Sequence, residues 1–254
     1  RFTITSADSP YSSVEFTASG NYLITEKSYT PYYSPASSLV GSNEHKHGNI
    51  FNSKMQASTR DSYDGVIYGK YTINSDGEYV LDGFGTIKVI SNGGTAVDLE
   101  ITTNSGYEIV VGANRDNIMT ESDMTNKLCR TWKFSKVHLI LWEEGKKVFD
   151  KTLSMKEYGE WDELDELPEN VIFTKSGTYL VTYSDGDLAV STWRWENEKK
   201  GILRYSGDYD HLYDEYESGT VEVSFDGNQL VIVEEDYDEE YDERYYCEWY
   251  LTEA

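Results

Sequence analysis

Acidic side chains are the most abundant reactive groups in this sequence of 254 residues, which has 46 Asp and Glu against 22 Lys and Arg. Residues 1–115 hold 8 basic and 12 acidic residues, a net charge of −4, whereas residues 116–254 hold 14 and 34, a net charge of −20. Nucleic acids and anionic lipids bind to basic surfaces. The charge balance therefore excludes both as partners and leaves cations, basic proteins and neutral ligands.

Acidic clusters in the second half suggest a cation site. The segments SDGD, GDYDHLYDEYES and EDYDEEYDE separate apolar runs, and in an up-and-down meander alternate connections emerge at the same end. The carboxylates predicted to crowd this rim and bind a cation are Asp185, Asp187, Asp210, Asp214, Asp238 and Glu240. An EF-hand is excluded, because counting from Asp236 puts Tyr241 where the loop needs Gly and Cys247 where it needs Glu. The alternative is a solvated rim that keeps the protein soluble.

Histidines offer a single close pair, in EHKHG at residues 44–48. Two imidazoles at this spacing can bind zinc or copper from one side of a strand, but here the segment is irregular and no third ligand is near in sequence. The sequence also lacks GxSxG, HExxH, P-loop and dinucleotide-binding motifs. We therefore predict no metal site at these histidines, no cofactor and no enzymatic activity.

Aromatic residues are the second candidate group, with 22 Tyr and 6 Trp. In STWRWE the two Trp residues share one face of a strand, and so do the Trp and Phe of RTWKF. These side chains are predicted either to pack a core or to line a pocket for an apolar ligand or a sugar ring. The ligand-binding candidates are Trp132, Phe134, Trp193, Trp195, Tyr205 and Trp249.

The two cysteines are Cys129 and Cys247. We expect them on the first and last strands of the second half, which become neighbours if those strands close a barrel, so a disulfide would form in an oxidising compartment. Side-chain parity opposes the bond. If Trp132 and Phe134 face inward, Cys129 faces outward, whereas Cys247 shares the inward face of Trp249. A bulge would reconcile the two, and the sequence leaves the bond open.

A sequence segment that occurs twice indicates how the chain is organised. VEFTASGNYLIT (14–25) and VIFTKSGTYLVT (171–182) are identical at 8 of 12 positions and lie 157 residues apart. VDLEITTNSGYEIVV (97–111) is also similar to GTVEVSFDGNQLVIV (219–233), at a spacing of 122. All four segments are typical of β-hairpins with a Gly-containing turn. The difference in spacing predicts about 35 additional residues in the first copy, which we assign to a long loop at 26–62.

The second copy has the clearer strand pattern. Its apolar runs predict eight strands in meander order, separated by turns such as KSG, SDG and DGN, with KKVFDKTLS as a short extra ribbon. Eight such strands can close into a barrel, and a two-sheet sandwich is the alternative. The first copy has a clipped first strand, RFTIT, and no convincing eighth strand after VVGANRD, so its closure is left open.

The segments RTWKF, FTKSGTYLVTYSDG, STWRWENEKKGILRY and FDGNQLVI resemble the lipocalin-like domains of secreted Bacteroidetes proteins. The resemblance covers most of residues 128–254. It implies an eight-stranded barrel on an exported protein, and many members of this group are lipid-anchored and of unknown function. A lipid anchor at a removed N-terminus is therefore expected here.

The sequence predicts an all-β protein of two tandem up-and-down antiparallel units. Residues 1–115 form the first β-unit, related to a barrel and incomplete in its sequence pattern; residues 116–127 are a linker; residues 128–254 form the lipocalin-like β-barrel. No run of eighteen apolar residues is present, so no transmembrane segment is predicted. The chain begins at Arg1 without an initiator Met, as expected of a processed, exported protein of the bacterial cell envelope or the extracellular space.

Two functions fit these patterns. One is a non-catalytic binding module that takes a small apolar or neutral ligand in the interior or mouth of the barrel. The other is a surface module whose acidic loops and 26–62 insertion bind a macromolecule. An open cavity would favour the first, and an interior filled by large side chains the second.

Overall fold

The computed structural model describes residues 1–27, 65–161, 167–186, 188–206, 218–238 and 242–254. Along the chain, the described residues divide into two compact units between Thr120 and Glu121. Among the described residues, neither helix is long or apolar enough to cross a membrane.

The first unit is a closed barrel in which each strand pairs with its sequence neighbours and the first pairs with the last. Its strands are β1 (Phe2–Ile4), β2 (Tyr11–Phe16), β3 (Asn21–Glu26), β4 (Val66–Ile73), β5 (Tyr79–Leu81), β6 (Gly85–Ser91), β7 (Ala96–Thr103) and β8 (Glu108–Arg115). The sequence left the closure of this unit open, and the pairing of β1 with β8 shows that it closes. The sequence pattern missed β5, which has only three residues, so the strand ending in VVGANR was not counted as the eighth.

The second unit is also a barrel, closed by pairing of its last strand with its first. Its strands are β9 (Thr131–Glu143), β10 (Lys146–Ser154), β11 (Pro168–Phe173), β12 (Thr178–Tyr183), β13 (Leu188–Asn197), β14 (Ile202–Ser206), β15 (Ser218–Asp226), β16 (Gln229–Asp238) and β17 (Glu243–Glu253). β10 is the extra ribbon, paired only with the C-terminal half of β9. The prediction of an all-β fold with two tandem antiparallel units is confirmed.

Two short helices accompany the second barrel. α1 (Asp123–Leu128) precedes β9, and α2 (Met155–Trp161) follows β10. The linker predicted from the sequence is 116–127, and α1 begins within that range and is part of the second unit. Its burial explains the difference, since Thr125 and Leu128 are 1% and 0% exposed.

The repeated phrase folds into the same hairpin twice. Phe16 faces Tyr22 and Val14 faces Ile24 in β2–β3, and the positions 157 residues later, Phe173 with Tyr179 and Val171 with Val181, are paired identically in β11–β12. Both hairpins also have a bulge near the start of the first strand, after Tyr11 and after Pro168.

The turns of the two hairpins share their hydrogen bonds. The Gly20 N–H donates to the Thr17 carbonyl at 3.2 Å, and the Gly177 N–H donates to the Thr174 carbonyl at 3.1 Å. Both glycines have φ in the left-handed region, +78° and +84°, which residues with a Cβ adopt only at a cost. The Thr-x-Ser-Gly sequence therefore specifies this turn in both barrels.

The strand that follows each hairpin is fastened to its turn in the same way. The backbone N–H of Tyr71 donates to Gly20 O at 2.9 Å, and that of Trp193 donates to Gly177 O at 2.7 Å. The side chains also act alike. The Tyr71 hydroxyl donates to the Thr17 carbonyl at 2.9 Å, and Trp193 Nε1 donates to the Thr174 carbonyl at 3.1 Å.

This equivalence locates the insertion. Tyr71 and Trp193 are 122 positions apart, against 157 for the hairpins, so the first barrel holds 35 more residues between β3 and β4. The predicted loop at 26–62 falls in this connection, and all of it beyond Lys27 lies outside the described residues.

The second sequence similarity was misleading. It matches the β7–β8 hairpin to the β15–β16 hairpin, but β7–β8 are the last two strands of the first barrel, whereas β15–β16 are followed by β17. The turns differ as well. Thr103 N–H donates to Tyr107 O across a three-residue loop, whereas Asp226 faces Gln229 across a two-residue turn.

A tyrosine lies over a glycine in the wall of each barrel. Gly69 faces Tyr22 across β3–β4, and Gly219 faces Tyr205 across β14–β15. A Cβ on Gly69 would lie 2.7 Å from Tyr22 Cε1, and one on Gly219 would lie 2.5 Å from Tyr205 Oη. Both glycines are therefore required for the close approach of the ring rather than for backbone conformation.

We predict that Gly69→Ala destabilises the protein by about 1–3 kcal/mol, because the added methyl overlaps a ring held by its hydroxyl. The Tyr22 hydroxyl donates to Asp82 O at 2.7 Å, which prevents the ring from moving aside. Gly112→Ala is the matched control, since its Cβ would meet nothing closer than Thr5 Oγ1 at 3.4 Å. Urea denaturation measures both variants, and equal losses would contradict the role given to Tyr22.

Candidate functional site

One end of the second barrel is covered by α1. This end, called here the α1 end, is where β9 begins and where the β11–β12, β13–β14 and β15–β16 turns lie. The helix starts at Ser122, whose Oγ accepts the Thr125 N–H at 3.0 Å as an N-cap. Glu198, in the β13–β14 connection, accepts hydrogen bonds from the hydroxyls of both residues.

Two of the predicted ligand-binding tryptophans hold this helix in place. Trp132 Nε1 donates to the Leu128 carbonyl at 2.9 Å, and Trp195 Nε1 donates to Thr125 Oγ1 at 2.9 Å. Leu128 itself is completely buried. Each indole N–H is thus used within the protein, and the α1 end is closed by these contacts.

Trp193 lies beside them and fastens the neighbouring turn. Its ring is edge-on to Phe173 and to Trp195, at centroid distances of 5.8 and 5.6 Å. Its Nε1 donates to Thr174 O, as described above, and the residue is 3% exposed. The structure therefore brings Trp132, Trp193 and Trp195 together at one end, in structural roles.

The centre of the barrel is occupied by Trp249, which is fully buried. Phe134 from β9 and Tyr158 from α2 meet it edge-on, at centroid distances of 5.6 and 5.3 Å. Its Nε1 donates to Glu234 Oε1 at 2.8 Å. A carboxylate in this place explains how an indole N–H can lie at the centre of an apolar core.

Glu234 is the residue of this site that the sequence did not reveal. It faces inward because β16 alternates, with Leu230, Ile232 and Glu234 buried on one side. It faces Cys247 across β16–β17 and is 7% exposed. A test of side-chain parity on QLVIVEE would have placed this acid inside.

Tyr245 completes a polar group around Glu234. Its ring is 7% exposed, and burial raises its pKa well above the usual value, with further contributions from Cys247, Tyr158 and Glu234. A phenol that stays neutral beside a carboxylate serves as a hydrogen-bond donor inside the barrel, not as a base.

Tyr205 is placed apart from the other candidates. It is half-buried on β14 and covers Gly219, as described above. Of the six aromatic candidates, three thus meet at the α1 end, two at the centre, and Tyr205 lies on the barrel wall.

The acidic candidates can be placed only in part. Asp185 is exposed in the β12–β13 turn and Asp238 ends β16. The meander puts these two connections at the same end of the barrel, opposite α1. Outside the described residues lie the side chain of Asp238 and the whole of Asp187, Asp210, Asp214 and Glu240. The cation site remains a prediction. Within the part of the chain that the structure describes, no three His, Cys, Asp or Glu side chains are grouped to hold a metal ion.

The disulfide that the sequence left open is not formed. Cys129 and Cys247 are both thiols. The last and first strands do pair, but Cys247 faces Leu139, ten positions beyond Cys129. Cys129 is not on β9 at all, because it is the C-terminal cap of α1. The parity argument against the bond assumed a strand where the chain is still leaving a helix.

Three exposed lysines of the β9–β10 ribbon were not singled out from the sequence. Lys146, Lys147 and Lys151 are exposed on β10, and their spacing in KKVFDKTLS was the available signal. Beside them His138 bridges two strands, with Nε2 at 2.9 Å from Asp150 and Nδ1 at 3.4 Å from Glu248. These contacts fasten β10 to the barrel and leave the lysines at the surface.

Comparison with known proteins gives no family. No protein-family model and no curated protein matches the chain. Among solved structures, the chain is similar to the vaccine antigen Transferrin Binding Protein B (TbpB) from Haemophilus parasuis, with 10% identity and a TM-score of 0.27 over 80% of this chain and 43% of that one. The chain spans less than half of that protein, and a likeness at this TM-score carries no argument about function.

The buried Tyr245 predicts instability at high pH. Because its pKa is raised in the folded state, its contribution to stability is complete below the unfolded value of about 10 and is lost as pH rises toward the folded value. Circular dichroism during an alkaline titration should show that Tyr245→Phe moves unfolding to higher pH. Tyr107→Phe, at a ring that is 48% exposed, is the control. Identical alkaline midpoints for both variants would contradict the buried position of Tyr245.

Proposed function

We propose that this protein is a non-catalytic, exported binding module that recognises a macromolecular partner through its surface. The observation that carries the proposal is the filled interior of the second barrel. Trp249, Phe134 and Tyr158 meet where a small ligand would otherwise bind, and the two from the strands are no more than 4% exposed.

The polar groups of the interior support the same conclusion. Glu234 accepts a hydrogen bond from Trp249, and the indole N–H groups of Trp132 and Trp195 donate to acceptors in α1. A pocket for a small ligand normally presents a few polar groups toward the ligand. Here the indole N–H groups donate to acceptors within the protein, so they are not available to a small ligand in the interior.

Charge indicates the kind of partner. The net charge of −24 favours association with basic surfaces through long-range attraction. The acidic connections and the insertion between β3 and β4 are the segments proposed to meet such a partner. Export, to the cell envelope or beyond, is inferred from the sequence resemblance to secreted lipocalin-like proteins.

Native mass spectrometry of the purified chain tests this function. We expect the mass of the bare polypeptide, because the interior is occupied by its own side chains. A co-purified lipid or other small molecule that survives gentle ionisation, and that Trp249→Ala alters, would overturn the proposal in favour of a small-ligand carrier. A bound small molecule that is unaffected by Trp249→Ala but is lost when charged side chains are introduced at the surface would also contradict the proposal. The binding site of that molecule would then lie outside the macromolecular interface.

A further inference from the structure

The two barrels differ at corresponding ends. The register relates Phe2 to Trp132, since Phe2 faces Val14 and Trp132 faces Val171. Phe16 corresponds in the same way to Phe173. Two further pairs follow at the spacing of 122 fixed by the β3–β4 and β12–β13 registers, namely Tyr71 with Trp193 and Ile73 with Trp195.

In the second barrel, α1 covers this end, where three of the four positions are buried and Trp195 is half-buried. Phe173 is 1% exposed, Trp132 2% and Trp193 3%. In the first barrel, Phe16 and Tyr71 are only half-buried and Ile73 is 57% exposed. The strands correspond in the two barrels, and within the described ranges only the second barrel has a helix over this end.

These residues of the first barrel form one cluster with Tyr79 of β5, called here the aromatic end of the first barrel and defined by Phe2, Phe16, Tyr71, Ile73 and Tyr79. Phe2 is 7% exposed, the three residues Phe16, Tyr71 and Tyr79 are half-buried, and Ile73 is exposed. Phe16 stacks on Tyr79 at 4.0 Å and meets Tyr71 edge-on at 5.1 Å. Ile73 faces Tyr79 across β4–β5. The insertion does not start here, because β3 ends at Glu26 on the opposite end of the barrel.

We propose that the aromatic end is a docking site for a short amphipathic helix of a partner protein, held as α1 is held on the second barrel. The inference rests on the proposed function and names the surface and the kind of partner. The template is the seat of α1 on the equivalent strands, where two side chains three positions apart, Thr125 and Leu128, face the barrel.

The side chains of the aromatic end specify the helix further. Trp132 and Trp195, which donate to α1, are replaced by Phe2 and Ile73, which have no donors. The partner helix therefore presents apolar side chains at both inward positions, where α1 has Thr125 and a leucine.

Acidic residues of the first barrel lie in the connection that corresponds to the one carrying Glu198 in the second barrel. In the second barrel, Glu198 of the β13–β14 connection accepts the hydroxyls of Ser122 and Thr125. The corresponding β4–β5 connection carries Asp76, which is exposed, and Glu78. A Ser or Thr N-cap and a basic flank on the partner helix would complement these carboxylates.

The test uses a peptide of residues 119–130 of this chain, carrying Thr125→Leu and Cys129→Ser, added to the isotopically labelled full chain. We expect saturable NMR shifts of the Ile73 methyl groups and of the Tyr71 and Tyr79 rings. The same peptide with Leu128→Asp is the control and should give none. In the Ile73→Asp chain the ring shifts should be lost, whereas Val110→Asp, at another exposed apolar residue of the first barrel, should keep them.

Shifts that are absent at the aromatic end, or that the Leu128→Asp peptide also produces, would overturn the docking site. Shifts confined to the indoles of the second barrel would do the same, because the peptide would then be displacing α1. The peptide comparison requires no variant of the chain, so it decides the matter even if Ile73→Asp fails to fold. A bare mass in native mass spectrometry with no peptide shifts would overturn the docking site alone and leave the proposed function standing.

Discussion

The narrow interior of an eight-stranded antiparallel barrel is the constraint on which this structure depends. Such a barrel has room for its own inward side chains or for one small ligand in their place. In the second barrel large side chains take the room, with Trp249 at the centre and Glu234 accepting its N–H. Because the interior is a packed core, we propose that a partner is recognised at the loops and ends, namely at the acidic connections and at the aromatic end.

A packed barrel must also protect the apolar residues at its ends. The second barrel does so with α1, which is held by hydrogen bonds from two indoles and by the buried side chain of Leu128. The first barrel has the same hairpin, the same turn and the same fastening of the next strand, yet in the described residues no helix lies over it. Because the two barrels are repeats, the contacts of α1 with the second barrel indicate what kind of element would fit the corresponding end of the first barrel.

Local patterns were enough to predict the repeated hairpin, because alternation and the Thr-x-Ser-Gly turn are written within a dozen residues. They failed where the signal was short or generic. β5 has only three residues, which is too short for an alternating pattern to be recognised. Alternating strands from different positions in the two barrels were also similar enough in sequence to be aligned wrongly. The aromatic candidates all lie on strands of the second barrel, but their hydrogen bonds depend on acceptors in α1 and on Glu234, which only the tertiary structure brings near.

Hydrogen exchange of the tryptophan indole N–H groups, followed by NMR, tests most directly whether the second barrel is a filled and closed core. The account predicts slow exchange for Trp132, Trp193, Trp195 and Trp249, whose N–H groups all donate to acceptors within the protein. Trp161 is 38% exposed and should exchange fast. Exchange of Trp249 or Trp195 as fast as that of Trp161 would mean that water reaches the centre or the α1 end, and would contradict the account.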